Sequence, residues 1–310
     1  MTWSVADIPD LAGRRAVITG VTGGLGLATA IELARRGADL FVTARDAARA
    51  TDAIDQIKAA APSAAVRVVS LDLADLEDTC RAARELIARL DRIDILVNNA
   101  GIMATPRRTT ADGFELQIGT NHLGHFAWTA TLWPLLARSD ARIVTVSSLA
   151  HTGAGGVDLR SLTTEGSPRR YFRWKSYAES KLANLSFAFE LDRRARAAGL
   201  AVASVGAHPG VSSTNLTKTG ARMSRNPLAG IAMHQVTRVI AQSADAGAWP
   251  LLMAATDPTL SGGEYIGPRG LGGTRGHAGR VGSSATARDP VLADALWLAS
   301  ESATGVTFDV

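Results

Sequence analysis

The chain contains a single cysteine, Cys80, among its 310 residues. One cysteine excludes an internal disulfide, and it cannot build a metal cluster held by several thiolates. We therefore predict no metal site. Tyrosine is also scarce, with three copies in the whole chain, so a tyrosine that carries chemistry has few rivals.

Long apolar runs are missing as well. The longest, such as Ile93 to Val97 and Leu200 to Val205, fall well short of the ~20 residues needed to cross a bilayer. Met1 to Asp10 shows no basic region followed by an apolar one, as a signal peptide would. These absences predict a cytoplasmic protein without a membrane anchor.

The chain has no strong excess of charge of one sign, with 33 Lys and Arg against 29 Asp and Glu and a formal net charge of +4. Most basic residues lie in short pairs beside acidic neighbours, as on a solvated helix face. One dense basic and aromatic patch runs from Arg169 to Lys175. No nucleic-acid recognition motif surrounds this patch, so we predict a role at a loop or rim and no nucleic-acid partner.

Short apolar segments, the first of them over Arg15 to Thr19, alternate with helical patterns along most of the chain. Strands that are apolar at nearly every position, separated by helices, are typical of a parallel sheet that is covered on both faces. The sequence therefore predicts one α/β domain over residues 1–310, doubly wound, with a parallel sheet of about seven strands. Four further segments are predicted. Helices are expected over Thr110 to Ala137, over Tyr177 to Ala198 and around Pro227 to Asp257, and a flexible surface loop is expected over Gly262 to Gly282.

Two irregular segments, at about 150–175 and 209–235, follow predicted strands. Ligands of an open parallel sheet bind beyond the carboxyl ends of the strands. We therefore predict that both segments are substrate loops.

A glycine-rich turn lies between the first predicted strand and the first predicted helix. Glycine permits a tight turn and the close approach of a pyrophosphate, which then lies at the amino end of the helix. The spacing Gly-x-x-x-Gly-x-Gly differs from the general dinucleotide fingerprint, but the strand-turn-helix setting predicts a dinucleotide site. Its residues are Gly20, Thr22, Gly23, Gly24, Leu25 and Gly26.

The end of the second strand bears on the choice of cofactor. An arginine at this point pairs with a 2′-phosphate, whereas a carboxylate accepts hydrogen bonds from a ribose. Arg45 favours NADP(H). Asp46 keeps NAD(H) open, since Arg45 could instead pair with Asp46 at the surface.

Two further strand ends carry polar residues. Asp72 and Leu73 follow the third strand, where Asp72 is placed to meet the adenine amino group or to cap a helix. Asn99, Ala100 and Gly101 follow the fourth strand and either border the cofactor or form a strand-terminating turn.

Tyr177 and Lys181 form a pair four residues apart in a segment with helical spacing. Such residues share a helix face, and a nearby positive charge favours ionisation of a phenol whose ordinary pKa is ~10. Tyr171 and Lys175 repeat the spacing. Tyr177 is favoured because an apolar stripe follows it (Leu182, Leu185 and Phe189), and no such stripe follows Tyr171.

Five motifs in this order resemble those of the short-chain dehydrogenase/reductase family: Thr19 to Gly26, Asn98 to Gly101, Ser147-Ser148, Tyr177 with Lys181, and His208 to Gly210. Further stretches, Asn121 to Phe126 and Ser147 to His151, are most similar to the retinol dehydrogenase and WW-domain oxidoreductase group. The resemblance covers about Leu11 to Tyr265 and implies a Rossmann-type fold.

The resemblance also implies a catalytic tetrad of Asn121, Ser148, Tyr177 and Lys181. Tyr177 would exchange a proton with the substrate oxygen, and Lys181 would bind the nicotinamide ribose and lower the pKa of the tyrosine. Ser148 would orient the substrate oxygen. Ser147 is the other candidate for this role, and the alternative role of Ser148 is to cap the turn that follows it. Asn121 would hold a water that links Lys181 to solvent, unless it is only a polar helix residue.

Other expectations follow from the same resemblance. Ser148 and Tyr177 lie further apart along the chain than in most relatives, and the extra residues would line the substrate entrance. Met223 to Met233 would form a wall over the substrate, and the helices at Thr110 to Ala137 and Tyr177 to Ala198 would allow a homodimer or homotetramer. The segment that would cover the nicotinamide contains Pro209, Gly210, Val211 and Thr214.

These features predict an NADP(H)-preferring oxidoreductase that interconverts a carbonyl and an alcohol on a small, fairly apolar molecule. Two alternatives remain at this stage. One is a regulator that binds NADP(H) without turnover, and the other is a reductase of carbon-carbon double bonds.

Overall fold

The computed structural model describes residues 2–211 and 242–310. Its strands are β1 (Arg15–Thr19), β2 (Asp39–Ala44), β3 (Val66–Ser70), β4 (Ile95–Asn98), β5 (Arg142–Val146), β6 (Ala203–Ala207), β7 (Tyr265–Gly270) and β8 (Arg275–Arg280). They form one sheet in the order β3-β2-β1-β4-β5-β6-β7-β8. Strands β1 to β7 pair in parallel, and β8 runs antiparallel to β7. The predicted doubly wound sheet of about seven parallel strands is confirmed, with one more strand at its edge.

Helices cover both faces of this sheet. They are α1 (Gly24–Arg35), α2 (Ala47–Ala60), α3 (Leu76–Arg89), α4 (Leu116–Ile118), α5 (Gly124–Leu136), α6 (Arg173–Ala197), α7 (Ala244–Thr256) and α8 (Pro290–Thr304). Short 3₁₀ turns lie at Val5–Asp7, Leu149–Gly153, Leu159–Leu162, Leu271–Gly273 and Ala285–Arg288. None of the helices in residues 2–211 and 242–310 has the length and hydropathy to span a bilayer.

Side chains of β1 alternate between two cores. Ala16 and Ile18 join a cluster that includes the apolar faces of α1 and α7, while Val17 joins a second cluster with α3, α5 and α6. A strand that is buried on both faces needs an apolar residue at nearly every position. This double burial explains the apolar run that identified the strand.

The sheet reverses its strand order at β1, which lies between β2 and β4. In an open parallel sheet, the crevice beyond the carboxyl ends of the strands at such a reversal is where ligands bind. Thr19 and Asn98 end the two adjacent strands. The residues that follow them form the candidate site.

The predicted helix over Thr110 to Ala137 is wrong in its first part. The Glu115 carboxylate accepts hydrogen bonds from the main-chain N–H groups of Gln117 and Ile118, so the helix begins after Glu115. A π-helical turn, Gly119–Leu123, then joins α4 to α5. This turn contains Asn121, one of the predicted site residues.

The predicted flexible loop over Gly262 to Gly282 is also wrong. This segment contains all of β7 and all of β8, with an irregularity in their pairing between Pro268 and Gly270. A Cβ atom at Gly267 would meet the imidazole ring of His208, and one at Gly276, whose φ is 117°, would lie 3.0 Å from the main-chain nitrogen of Gly270, so glycine is needed for the close packing of the hairpin. The glycines thus serve strand packing and not mobility. The part of the predicted helix around Pro227 to Asp257 that precedes residue 242 lies outside the described residues.

The carboxyl-terminal segment packs on α5 and α6. Trp297 of α8 lies 5.4 Å from Phe126 and 5.8 Å from Phe187 between ring centroids. Phe308 lies 5.3 Å from the ring of Trp133. This aromatic cluster covers one face of the two long helices with the chain's own residues.

Candidate active site

The glycine turn after β1 adopts backbone conformations that favour glycine. Gly20 has φ 74°, Gly23 has φ 153° and Gly24 has φ 59°. Helix α1 begins at Gly24, so its unpaired main-chain N–H groups face this turn. Of the other predicted cradle residues, Thr22 is half-buried and Leu25 is buried.

Two of the turn's glycines also permit a close approach to the end of β4. A Cβ at Gly20 would lie 2.9 Å from Cα of Ala100, and a Cβ at Gly26 would lie 2.4 Å from the carbonyl oxygen of Gly20 and 2.6 Å from Nδ2 of Asn99. Asn99 Nδ2 donates to the carbonyl oxygens of Thr19 and Gly20 at 2.7 Å and 3.2 Å. A bare backbone turn at a helix amino end fits a dinucleotide pyrophosphate.

At the ends of β2 and β3, the structure pairs Arg45 with Asp72 and not with Asp46. Nη1 of Arg45 lies 3.5 Å from Oδ2 of Asp72, and the arginine side chain is 74% exposed. Asp46 caps α2 by accepting from the N–H of Arg49 at 3.1 Å. The proposed surface pair of Arg45 with Asp46 is therefore wrong.

Asp72 is held in place by its own neighbours. Its Oδ1 accepts from the N–H of Ala74 at 3.0 Å, and α3 is capped by Asp75 instead. Leu73, which follows Asp72, is buried. The loop after β3 thus keeps one Asp72 oxygen beside the exposed Arg45, at the edge where the cofactor is predicted.

We expect Arg45→Ala to raise the KM for NADPH about tenfold while changing the KM for NADH by less than about twofold, since a charge-assisted bond to a 2′-phosphate would be lost. Steady-state kinetics with both cofactors measures the two values. Arg49→Ala, an exposed arginine of α2, is the control and should change neither. Equal changes in both KM values for Arg45→Ala would contradict the assignment.

Tyr177 and Lys181 lie together on α6, and both are buried. Nζ of Lys181 is 5.9 Å from the centroid of the Tyr177 ring and donates to the carbonyl oxygen of Val146 at 3.0 Å. Burial lowers the pKa of Lys181 to about 8. A Cβ placed at Gly101 would lie 3.5 Å from the same Nζ, so the lysine is next to the segment that follows β4.

The pKa of Tyr177 is raised by burial, and its hydrogen bond with Ser148 acts in the opposite direction. The sequence led us to expect a pKa lowered by Lys181. In the structure the desolvation of the phenol dominates. A buried phenol that keeps its proton near neutral pH is suited to act as an acid toward a substrate oxygen.

The two adjacent serines at the end of β5 have different partners. Ser147 is buried, and its Oγ donates to the main-chain oxygen of Lys181 at 2.7 Å. Ser148 hydrogen-bonds Tyr177, and its Oγ also accepts from the N–H of Ala150 at 3.2 Å. Ser147 therefore ties β5 to α6, whereas Ser148 both caps a turn and faces the phenol.

Asn121 uses its side chain to hold the loop after β4. Oδ1 accepts from the N–H of Ile102 at 2.8 Å, while Nδ2 donates to the carbonyl oxygen of Ile102 at 2.9 Å and to Oγ of Ser180 at 3.0 Å. Both amide hydrogens are thus used within the protein. A water held by this side chain would bind the remaining acceptor position of Oδ1.

Tyr171 lies apart from the predicted catalytic cluster. It precedes α6, so it does not share a helix face with Lys175. Its hydroxyl donates to the carbonyl oxygen of Thr105 at 2.9 Å and accepts from Nε2 of Gln117 at 2.8 Å. Burial raises the pKa of Tyr171 to about 12, with the Glu115 carboxylate acting in the same direction.

The segment at about 150–175 is anchored to α6. Arg169 binds Glu179 through Nη1 and Oε1 at 2.7 Å, and a second contact joins the same two side chains. Beyond this anchor, Phe172 and Trp174 are 55% and 48% exposed. The Trp174 ring lies edge-on to Tyr177, with centroids 6.4 Å apart.

After β6, the predicted nicotinamide segment is only partly described. Gly210 has φ 68°, and a Cβ there would lie 2.3 Å from the carbonyl oxygen of Thr274. The N–H of Val211 donates to the same oxygen at 2.8 Å, and the carbonyl oxygen of Pro209 accepts from Gln242 at 2.8 Å. Thr214, Met223 to Met233 and the rest of the loop to residue 235 lie outside the described residues.

Sequence reasoning missed three site neighbours, Thr19, His125 and His151. Thr19 Oγ1 accepts from the N–H groups of Asn99 and Ala100, both at 2.9 Å. His151 Nδ1 lies 2.7 Å from the carbonyl oxygen of Ser148. All three lie within motifs that were noticed. Their hydrogen bonds to distant segments, such as the bond that His151 Nε2 accepts from the N–H of Ser284 at 3.2 Å, have no local sequence signal.

Comparison with known proteins identifies the family of the chain. A family model of short chain dehydrogenases matches residues 14–158. Mouse retinol dehydrogenase 13 is 35% identical over 305 residues, covering 98% of this chain and 86% of that protein. Mouse polyprenol dehydrogenase is 37% identical over 295 residues, covering 94% and 83%. Human retinol dehydrogenase 13 is 41% identical over 214 residues, and this match spans 69% of the chain and 62% of that protein.

Solved structures show the same relationship. An uncharacterised protein from Mycobacterium paratuberculosis is 41% identical over the full length of both chains, with a TM-score of 0.81. A protein from Beutenbergia cavernae, described as an NAD(P)-dependent gluconate 5-dehydrogenase and containing NADP at low occupancy, is 26% identical with a TM-score of 0.61, covering 83% and 95%. The chain belongs to the short-chain dehydrogenase family, resembles its retinol dehydrogenases, and is an oxidoreductase that uses NAD(P)(H).

Proposed function

We propose that the protein is an NADP(H)-preferring oxidoreductase that interconverts a carbonyl and an alcohol on a small, fairly apolar molecule. One observation carries the proposal: Tyr177, hydrogen-bonded with Ser148, shares a helix with Lys181. The same lysine lies beside Gly101, in the segment that packs against the glycine turn. A proton donor and a dinucleotide cradle therefore occupy adjacent places at the reversal of the sheet.

Each residue has a separate task in this proposal. The nicotinamide cofactor, when bound, supplies or accepts the hydride. Tyr177 donates its proton to the carbonyl oxygen during reduction and takes it back during oxidation. Ser148 orients that oxygen by a hydrogen bond. The Lys181 ammonium lies close enough to stabilise negative charge on the phenol oxygen as the proton leaves.

Asn121 and the residues after β4 complete the proposed cofactor side. Asn121 fixes Ile102 by two hydrogen bonds, and Asn99 binds the glycine turn. These contacts give the cofactor a preformed wall, which reduces the ordering needed on binding. Arg45 would contribute the 2′-phosphate contact that distinguishes NADP(H) from NAD(H).

The apolar character of the substrate is supported by exposed aromatic rings beside Tyr177. Trp174 lies edge-on to the catalytic phenol, and Phe172 is exposed two residues earlier. Together the two rings would offer an apolar contact surface next to Tyr177. The related retinol and polyprenol dehydrogenases are named for apolar alcohols, so an apolar substrate fits this face.

The proposal is tested by following NADPH absorbance with a panel of aldehydes and ketones of increasing apolar size. Turnover that improves with apolar size supports it. Binding of NADPH without turnover of any carbonyl would favour the regulator, and turnover confined to compounds with activated carbon-carbon double bonds would favour that class of reductase.

Trp174→Ala should raise the KM for the larger apolar substrates about tenfold and leave short-chain substrates nearly unchanged, because removing an indole takes away most of its apolar contact area. Steady-state kinetics with a matched short and long substrate measures the difference. Leu298→Ala, which removes an exposed apolar side chain of α8, is the control. A similar KM change for both substrates would contradict this role of Trp174.

Location and assembly are part of the proposal as well. A cytoplasmic protein is expected from the sequence, and cell fractionation tests it. A homodimer or homotetramer built on α5 and α6 would need faces other than those covered by Trp297 and Phe308. Analytical ultracentrifugation measures the mass of the assembly.

A further inference from the structure

His125 is a buried histidine with a partner on each ring nitrogen. Nε2 lies 3.0 Å from Oγ1 of Thr19, at the end of β1. Nδ1 lies 3.0 Å from the main-chain oxygen of Asn121, in the π-helical turn. The side chain therefore bridges the glycine turn and the segment that carries Asn121.

The direction of these hydrogen bonds follows from their partners. A carbonyl oxygen only accepts, so Nδ1 of His125 carries the hydrogen toward Asn121. Burial lowers the pKa of His125 to about 4, which leaves Nε2 without a proton at neutral pH. Thr19 Oγ1 already accepts from Asn99 and Ala100. Its own hydrogen is donated to Nε2 at 3.0 Å, the nearer of its two acceptors, since the carbonyl oxygen of Val97 lies 3.4 Å away.

Together these bonds form a closed ring around Gly101. Thr19 holds Asn99 and Ala100 on one side of it. On the other side, Ile102 is held by the Asn121 side chain. His125 closes the ring by joining Asn121 to Thr19, and Lys181 lies directly beside Gly101 within it.

We propose that His125 is a positioning residue. It holds the cofactor wall, which is the segment from Asn99 to Ile102 after β4, in a fixed position relative to Asn121 and Lys181. Its Nε2 fixes Thr19 and through it Asn99 and Ala100, which affects cofactor affinity. Its Nδ1 fixes the Asn121 carbonyl and the turn that holds it, which affects the proton-transfer side. Only the role of the contact between Nδ1 and Asn121 rests on the proposed function. The contact between Nε2 and Thr19 concerns binding of the cofactor.

The two hydrogen bonds of His125 can be removed separately by substitution. In His125→Asn, the amide nitrogen can take the place of Nδ1 and donate to Asn121, but it cannot reach Thr19. In His125→Gln, the longer amide can accept from Thr19, but it does not also donate to Asn121. His125→Phe keeps the ring size and removes both bonds.

The test measures the Kd for NADPH by fluorescence titration, kcat for carbonyl reduction at saturating NADPH, and Tm. We expect His125→Asn to raise the Kd about tenfold with kcat largely kept, and His125→Gln to lower kcat about tenfold with the Kd largely kept. His125→Phe should show both changes. The Kd values test the contact with Thr19 even if no carbonyl substrate is turned over. Failure of the proposed function can therefore be distinguished from the absence of a positioning role for His125.

His122 provides the matched control. It is a buried histidine three residues earlier, but its Nε2 lies 2.8 Å from Oγ of Ser300 on α8, and its other hydrogen bond is with Asn184 of α6. His122→Asn should lower Tm and leave the Kd and kcat unchanged. The proposal is overturned if the His125 variants also change Tm alone, or if His125→Asn and His125→Gln lose the same property.

Discussion

Tyr177→Phe is expected to lower kcat for carbonyl reduction about 10²-fold to 10⁴-fold, the usual contribution of a positioned general acid. The phenyl ring fills the same buried space, so the fold and the wall of the cofactor site should be kept. The loss should therefore appear in kcat, while the Kd for NADPH changes by less than about twofold. Stopped assays of product formation and a fluorescence titration of NADPH measure the two quantities.

Tyr171→Phe is the matched control for this loss. Its hydroxyl binds Thr105 and Gln117, so its removal should cost stability and leave most of the turnover. A Tyr177→Phe protein with near-normal turnover, together with an inactive Tyr171→Phe protein, would reverse the assignment of the catalytic tyrosine.

Gly26→Ala is expected to raise the Kd for NADPH about 10-fold to 100-fold, because the strain of an overpacked site typically amounts to about 1–3 kcal/mol. The added Cβ would lie 2.4 Å from the carbonyl oxygen of Gly20 and 2.6 Å from Nδ2 of Asn99. The first is a main-chain atom, and the second is held by hydrogen bonds to the carbonyl oxygens of Thr19 and Gly20. The glycine turn or the end of β4 must then move, and both border the cofactor.

Gly282→Ala separates this local effect from a general cost of replacing glycine. A Cβ at Gly282 meets no atom within 4 Å, so the Kd for NADPH and Tm should both stay near their wild-type values. If Gly26→Ala binds NADPH as tightly as Gly282→Ala does, the glycine turn is not the cofactor cradle.

The parallel sheet could be predicted from the sequence because burial on both faces leaves a local signal. The strand predicted over Arg15 to Thr19 has the bounds seen in the structure. The β7–β8 hairpin was missed because its glycines, such as Gly267, are required for packing against side chains distant in sequence, in this case the ring of His208. A glycine-rich segment therefore resembles a loop until its neighbours are known.

The candidate site was predictable to a similar extent. Tyr177 was preferred to Tyr171 on the apolar stripe that follows it, and the structure places Tyr171 outside α6. The partners of Arg45, Ser147 and His125 depend on contacts between segments far apart in the chain. Such contacts require the register of the sheet, which residue types and spacing alone do not define.

The proposed reaction transfers a hydride from NADPH to a carbonyl carbon beside Tyr177. The most direct measurement uses NADPH that carries deuterium at C4, prepared in both C4 configurations, with product analysis by mass spectrometry and NMR. We expect that one of the two C4-deuterated forms of NADPH transfers its deuterium to the carbinol carbon of the product. Deuterium on a carbon of a former carbon-carbon double bond, or NADPH binding without any transfer, would contradict it.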